Sequence, residues 1–243
     1  MSTEQHAIQV RGIKVQVVRK AIKNLHLGVY PPNGRVRVAA PLAISNQAVR
    51  LAVIGKLGWI DRQRAKFQRQ PRMSKRELVS GESHYFLGRR FRLRVTEQVG
   101  SAGQGMRLSR SYLELVVRAD SAVAHRERLL NDWYRARLRE VAFPLIQQWQ
   151  AKLGVQVAAW GIKKMRTKWG ACNAAARRLW LNLELVKSPP ECIEYIIVHE
   201  LVHFRFRHHD ERFRSVMETY LPGWRNRREH LNTIPLADVA RPR

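Results

Sequence analysis

The chain has 243 residues, 45% hydrophobic and 26% charged, with 14 Gly, 10 Pro and two Cys. This composition excludes a disulfide-stapled miniprotein, a collagen-like repeat and a disordered chain, and it leaves room for one or two domains with a large core. Lys and Arg number 45 against 19 acids, a formal net charge of +26, far beyond what solubility requires. Such a charge points to a polyanion as partner or ligand, although an arginine-rich proteome reaches it without one.

The opening MSTEQHAIQVRGIKVQVVRK mixes charge throughout and lacks the apolar run of a secretory signal. No apolar stretch approaches the roughly 20 residues that cross a bilayer, so a cytoplasmic chain without a membrane role is expected. In a reducing cytosol Cys172 and Cys192 read as small buried hydrophobes.

Alternation over 7–39 (Val15, Val17, Val18; Leu25, Leu27, Val29; Val36, Val38), with Pro31, Pro32, Asn33 and Gly34 as turn residues, predicts a small antiparallel sheet. Ser45 reads as an N-cap for one helix of roughly 25 residues carrying Val49, Val53, Leu57 and Ile60 on its apolar face. A second β-rich stretch covers about 82–118, with the Gly-rich turn SAGQG at 101–105. Residues 1–118 thus form an α+β N-terminal module, and 119–243 a second module. From Ser121 to Leu153 an amphipathic helix runs across Pro144, which should kink or interrupt it. Two β-like runs, 155–162 and 179–185, then flank a basic segment and suggest a hairpin. No internal repeat or low-complexity tract is visible.

Ser188-Pro189-Pro190-Glu191 has the pattern of a capping box with proline in the first turn, and Cys192, Ile193, Ile196, Ile197 and Leu201 supply a buried helix face. On that helix lies His199-Glu200-Leu201-Val202-His203. Imidazoles at i and i+4 share one face and can bind one tetrahedral Zn²⁺, with Glu200 placed to take a proton from the metal's water. A catalytic zinc keeps three protein ligands, so a third histidine is needed. His209 is expected and His208 is its rival. His209 reaches the metal only if the chain breaks near Arg207 and returns, with Asp210 capping the next helix. The gap holds Phe206 where metzincins carry glycine, which argues for a helix–loop–helix return.

At this point the chain resembles the YgjP-like metallopeptidase-domain family, related to SprT-like and other zincin-fold proteins. The resemblance is carried by VRKAIKNLHLGV, GRVRVAAPLAIS, KLGWIDRQRAKF, HYFLGRRFRLRV, WGACN, LNLELVKSPPECIEYIIVHELVH and HDERF. It implies an α+β fold with a zincin-like metallopeptidase core, a β-hairpin beside a zinc-binding helix, preceded by the N-terminal module. It also implies Zn²⁺ on His199, His203 and His209 and Glu200 as the catalytic glutamate. Ala171, where the family more often has Ser, and the basic Phe206-Arg207-His208 depart from the family pattern.

The implied activity is that of a zinc metallohydrolase, a protease by motif. The family has also been associated with pyrophosphohydrolysis of nucleoside triphosphates, UTP in particular. Lys163, Lys164, Arg166, Lys168, Arg177 and Arg178 occur without an acid between Ile162 and Leu179. By the resemblance, part of this stretch lines the substrate cleft, so Lys163, Lys164, Arg166, Lys168 and Trp169 are candidate substrate-binding residues. Three readings stay open: a metallopeptidase on protein or peptide, a phosphohydrolase on nucleotides, and a nucleic-acid-binding module with structural zinc.

Overall fold

A computed structural model describes residues 5–30, 34–69, 76–99, 103–165 and 167–234, with the backbone alone over 66–69. It is a mixed α+β structure in which three sheets and six α-helices are described. The chain divides into two compact units, one within 1–72 and the other within 73–237. Among the described residues no helix is long and apolar enough to cross a membrane.

The first unit holds β1 (Gln5–Val10), β2 (Ile13–Lys20), β3 (His26–Tyr30) and β4 (Arg35–Pro41), in the order β1-β2-β4-β3. Val15, Val17, Val36 and Val38 form one buried face, packed with Val49, Val53 and Ile60. The sheet is mixed where the alternation suggested antiparallel pairing, because β2 and β4 run parallel. Alternation reports which face is buried and says nothing of strand direction. The expected single helix is two, α1 (Asn46–Ile54) and α2 (Leu57–Arg69). Ser45 caps α1 by accepting from Ala48 N. At Gly55 the backbone tightens, with Lys56 N donating to Val53 O, and the next helix restarts.

The second unit opens with β5 (Ser83–Phe86), β6 (Arg89–Gln98), β7 (Gly105–Leu108) and β8 (Tyr112–Arg118), ordered β5-β6-β8-β7 with β6 and β8 parallel. This is the arrangement of the first unit over again, although the sequence shows no repeat. Both copies start with a two-residue hairpin whose residues have positive φ, Arg11-Gly12 (44° and 77°) and Leu87-Gly88 (46° and 79°).

α3 (Val123–Leu153) runs through Pro144 without interruption. Leu130, Tyr134, Leu138, Ala142, Ile146, Trp149 and Leu153 make a continuous buried stripe, while Pro144 sits on the exposed side. There the carbonyl deprived of its helical donor faces water, so packing outweighs the missing bond. α3 shares its core with Leu93, Leu113 and Leu115 of the sheet. The boundary expected at 118/119 therefore falls inside one core, and the division lies at 72/73.

After α3 come β9 (Ala159–Lys163), β10 (Gly170–Asn173) and β11 (Arg178–Asn182), ordered β10-β11-β9. The hairpin is β10–β11, and the earlier run pairs with β11 in parallel. A 3₁₀ turn over Leu183–Lys187 leads to α4 (Pro190–Val202), followed by α5 (Glu211–Tyr220) and α6 (Trp224–Thr233). The capping box does not form: Ser188 Oγ donates to Leu185 O at 2.6 Å and closes the 3₁₀ turn. With prolines at 189 and 190 there is no N–H at those positions to cap. The β5–β6 hairpin tip fastens the start of α4, as Leu87 N and Gly88 N donate to Val186 O and Lys187 O.

His84, fully buried, accepts at Nδ1 from Arg76 (2.5 Å), with its Nε2 3.3 Å from Glu82 Oε2. Burial, then the Arg76 charge, pushes its pKa down to about 4, with Lys187 adding to the effect and Glu82 opposing it. The depressed value means that the folded state resists a proton the unfolded chain accepts. Stability from this site is complete above pH 6.5 and lost as pH falls toward 4, on the order of 3 kcal/mol. Urea unfolding followed by tryptophan fluorescence at pH 7 and 4.5 should show that loss, and His84→Gln should shrink it. An equal pH slope in both proteins would sink the assignment.

Candidate metal centre

α4 is buried on almost every side, through Ile193, Ile196, Ile197, Val198 and Leu201, so the polar residues it carries are held by packing. His199 and Glu200 lie in its last turn, and His203 closes it as C-cap. The break comes at Val202, earlier than expected from Arg207. Phe206 N donates to Val202 O, and the chain turns back to Asp210, whose Oδ1 accepts from Phe213 N to start α5.

This return brings His209 onto the two helix histidines. The Nε2 atoms of His199, His203 and His209 lie 3.1 to 3.2 Å apart in all three pairs. His208 is exposed and stands outside the cluster. His203 donates from Nδ1 to Phe206 O at 2.8 Å, which leaves its Nε2 as a bare lone pair. Phe213 is buried beneath the cluster, its ring centroid 4.7 to 5.0 Å from all three imidazoles. Tyr195 meets His199 edge-on and stacks on Trp224.

Burial, followed by the charges of His203, His209 and Arg228, pushes the His199 pKa down to about 3. Burial also lowers that of His209, with His203, Arg228 and Arg214 adding to the effect. Burial thus disfavours the charged forms of His199 and His209, and the Nε2 atoms of all three imidazoles converge on one point. A tetrahedral ion with bonds of about 2.0–2.1 Å has ligand edges of roughly 3.3 Å, so the residues fit a metal. His199 Nδ1 is buried without a hydrogen-bond partner among the described residues.

Glu200, 8% exposed, is pushed by burial to a pKa of about 7. The Cys172 thiol and the Lys168 charge act on its carboxylate in the opposite sense. Burial and the Glu200 charge raise Cys172 to about 12, so it stays a thiol. Gly170 and Cys172, two apart on β10, share the face toward α4. A Cβ at Gly170 would lie 2.8 Å from Glu200 Cγ and from Ile196 Cγ2. Only glycine admits the helix this closely.

The candidate substrate residues separate. Lys168 comes near Glu200, whereas the Lys163 ammonium lies 3.3 Å over the Trp180 ring, on the far side of β11 from β10. Lys164 pairs with Glu127 of α3 at 2.7 Å, and Trp169 packs partly buried against the core. Arg166 lies outside the described residues. Sequence reasoning missed Phe213, Arg228 and Asn182. The first has a signal in HDERF, one helical turn after the Asp210 cap; Arg228 has none. Asn182, fully buried, binds Met165 N, Met165 O and Lys168 O and shapes the loop.

A family model for the YgjP-like metallopeptidase domain matches residues 23–234. The chain belongs to that family. Membership implies a divalent metal, and the histidine cluster is where the described residues could hold one. No curated protein matches the chain. Among solved structures, the metallopeptidase zymogen abylysin of Pyrococcus abyssi is 20% identical, over 38% of this chain and 92% of its own, with a TM-score of 0.36. The zymogen jannalysin of Methanocaldococcus jannaschii is 25% identical, over 32% and 80%, with a TM-score of 0.30.

His209→Ala should lose most of the bound metal and His208→Ala should keep it, measured by elemental analysis of the purified proteins. The reverse pattern would reassign the third ligand.

Proposed function

We propose that the chain is a zinc metallopeptidase with a zincin-like core, in which His199, His203 and His209 hold Zn²⁺ and Glu200 is the general base. The observation that supports this most is the meeting of three Nε2 atoms at 3.1 to 3.2 Å beside a buried carboxylate on the same helix. Zinc suits three neutral imidazoles, and three ligands leave a position for substrate chemistry. When bound, the ion supplies a Lewis acid that polarises a carbonyl and lowers the pKa of water.

Glu200 does the proton work. Burial raises its affinity for a proton, so its carboxylate takes one from the attacking water and then delivers it to the leaving amine nitrogen. The Cys172 thiol faces the carboxylate from β10, and Gly170 leaves the space in which the carboxylate sits. His203 is oriented by Phe206 O, and Phe213 keeps water from beneath the imidazoles.

A second reading, hydrolysis of nucleoside triphosphates such as UTP to release pyrophosphate, draws support from the cations at the site. Lys168 acts on Glu200, and Arg228 on His199 and His209. These offer charge-assisted donors for phosphate.

Glu200→Gln should reduce casein cleavage about 10²–10⁴-fold with zinc content unchanged. Undiminished cleavage would overturn its role. Pyrophosphate release from UTP by the wild-type enzyme, weakened through KM in Lys168→Ala, would favour the second reading over the first.

A further inference from the structure

The histidine cluster lies on the second unit, and the first unit has the more lopsided composition. Residues 1–72 carry 14 Lys or Arg and only two acids, Glu4 and Asp61. On this unit lies a cavity of about 490 Å³ whose lining includes Lys14, Gln16, Arg35 and Arg64 and no carboxylate. That is the volume of a small-ligand site.

The sheet explains how the cations reach it. Val15, Val17, Val36 and Val38 turn into the core, so Lys14, Gln16 and Arg35, one residue out of phase, turn to the other face. Arg64 comes from α2. Its stem crosses Gly34 so closely that a Cβ there would lie 2.6 Å from Arg64 Cγ, and Gly34 has φ of +65°. The side chain is thus held in place, and its Nε is buried with no hydrogen-bond partner among the described residues. A buried guanidinium donor without an acceptor is costly, and a phosphate oxygen satisfies it in the geometry arginine prefers. Beside the cavity, Tyr30 stands directly across from Arg35 in the β3–β4 register, packed over Gly28 and 38% exposed.

We propose that this cavity and the adjoining sheet face bind a single-stranded nucleic acid, with Lys14 and Arg64 on a phosphate and Tyr30 under a base. The proposal does not rest on the reading of the metal centre. A lone anion would be served by the cavity cations; the remaining charge, unrelieved by acids between Gln5 and Trp59, suits a chain of phosphates. An exposed aromatic ring beside a cationic cavity supplies the sequence-tolerant stacking that unpaired bases offer and a closed duplex does not.

The test is fluorescence anisotropy of the full-length protein with a labelled single-stranded 12-mer over a salt series. Log K should fall linearly with log salt. Lys14→Gln and Arg64→Gln should each weaken binding about fivefold to twentyfold at low salt and flatten the slope by roughly 0.7. Tyr30→Leu should weaken it about fivefold or more and leave the slope alone. Thermal melting checks folding, and the exposed Lys14 keeps the test valid if Arg64→Gln melts early. Wild-type affinity and slope in Lys14→Gln and Tyr30→Leu would overturn the site. So would equal affinity for the duplex, or displacement of the strand by UTP at the strand's own phosphate concentration, which would mark a mononucleotide site.

Discussion

The candidate metal centre depends on how closely one strand approaches one helix. β10 meets α4 at Gly170, where a single added carbon would collide with Glu200 and Ile196 at once. That contact does more than fill space. It buries a carboxylate in an apolar helix face, and the two-residue period of the strand brings Cys172 to the same carboxylate. The hairpin partner β11 then carries Asn182, whose amide fixes the loop that bears Lys168. A glycine without a side chain thus sets how the Glu200 carboxylate meets Cys172 and the loop that bears Lys168.

Holding that arrangement has an energetic cost. Three imidazoles meet with their nitrogens in contact, and burial, with the Arg228 charge adding to it, disfavours protonation of His199 and His209. Donor atoms brought this close to one another suit a shared cation better than they suit one another. The rigidity comes from packing: Phe213 lies under all three rings, the Asp210 cap fixes the helix that supplies Phe213, and His203 is tied to Phe206 O. A site organised in this way binds metal without paying again for order, and metal binding in turn stabilises the fold.

Much of this was legible in the residues. The i, i+4 histidines needed a helix that the apolar run already required, and Asp210 signalled where the next one starts. The convergence of His209 with them is a property of the turn, which no periodicity describes. Other features escaped for definite reasons. Alternation does not tell parallel from antiparallel pairing, and β2–β4 and β9–β11 are parallel where it suggests antiparallel neighbours. Proline weighed more in the sequence than in α3, where the buried stripe decides. Ser188 has the residue type of a cap and spends its hydroxyl on the preceding turn. That only part of the basic stretch faces the site is expected, but which lysine does so is decided by the strand order β10-β11-β9, which distributes the lysines among a tryptophan, a glutamate on α3 and the site.

The repeated four-stranded arrangement shows why a shared scaffold leaves so little trace in sequence. Both copies need only a face of alternating apolar residues and a two-residue turn with positive φ, demands that many residues meet. The turns have since been put to different use. A Cβ at Gly12 would meet nothing within 4 Å among the described residues, so that tip is constrained by φ alone. At Gly88 it would strike Pro189 at 2.8 Å, because this tip seats the first turn of α4. An asparagine satisfies the first constraint and violates the second. The two hairpins share a backbone, and only the second, by fixing where α4 begins, governs where His199 in its last turn and His203 at its C-cap are placed.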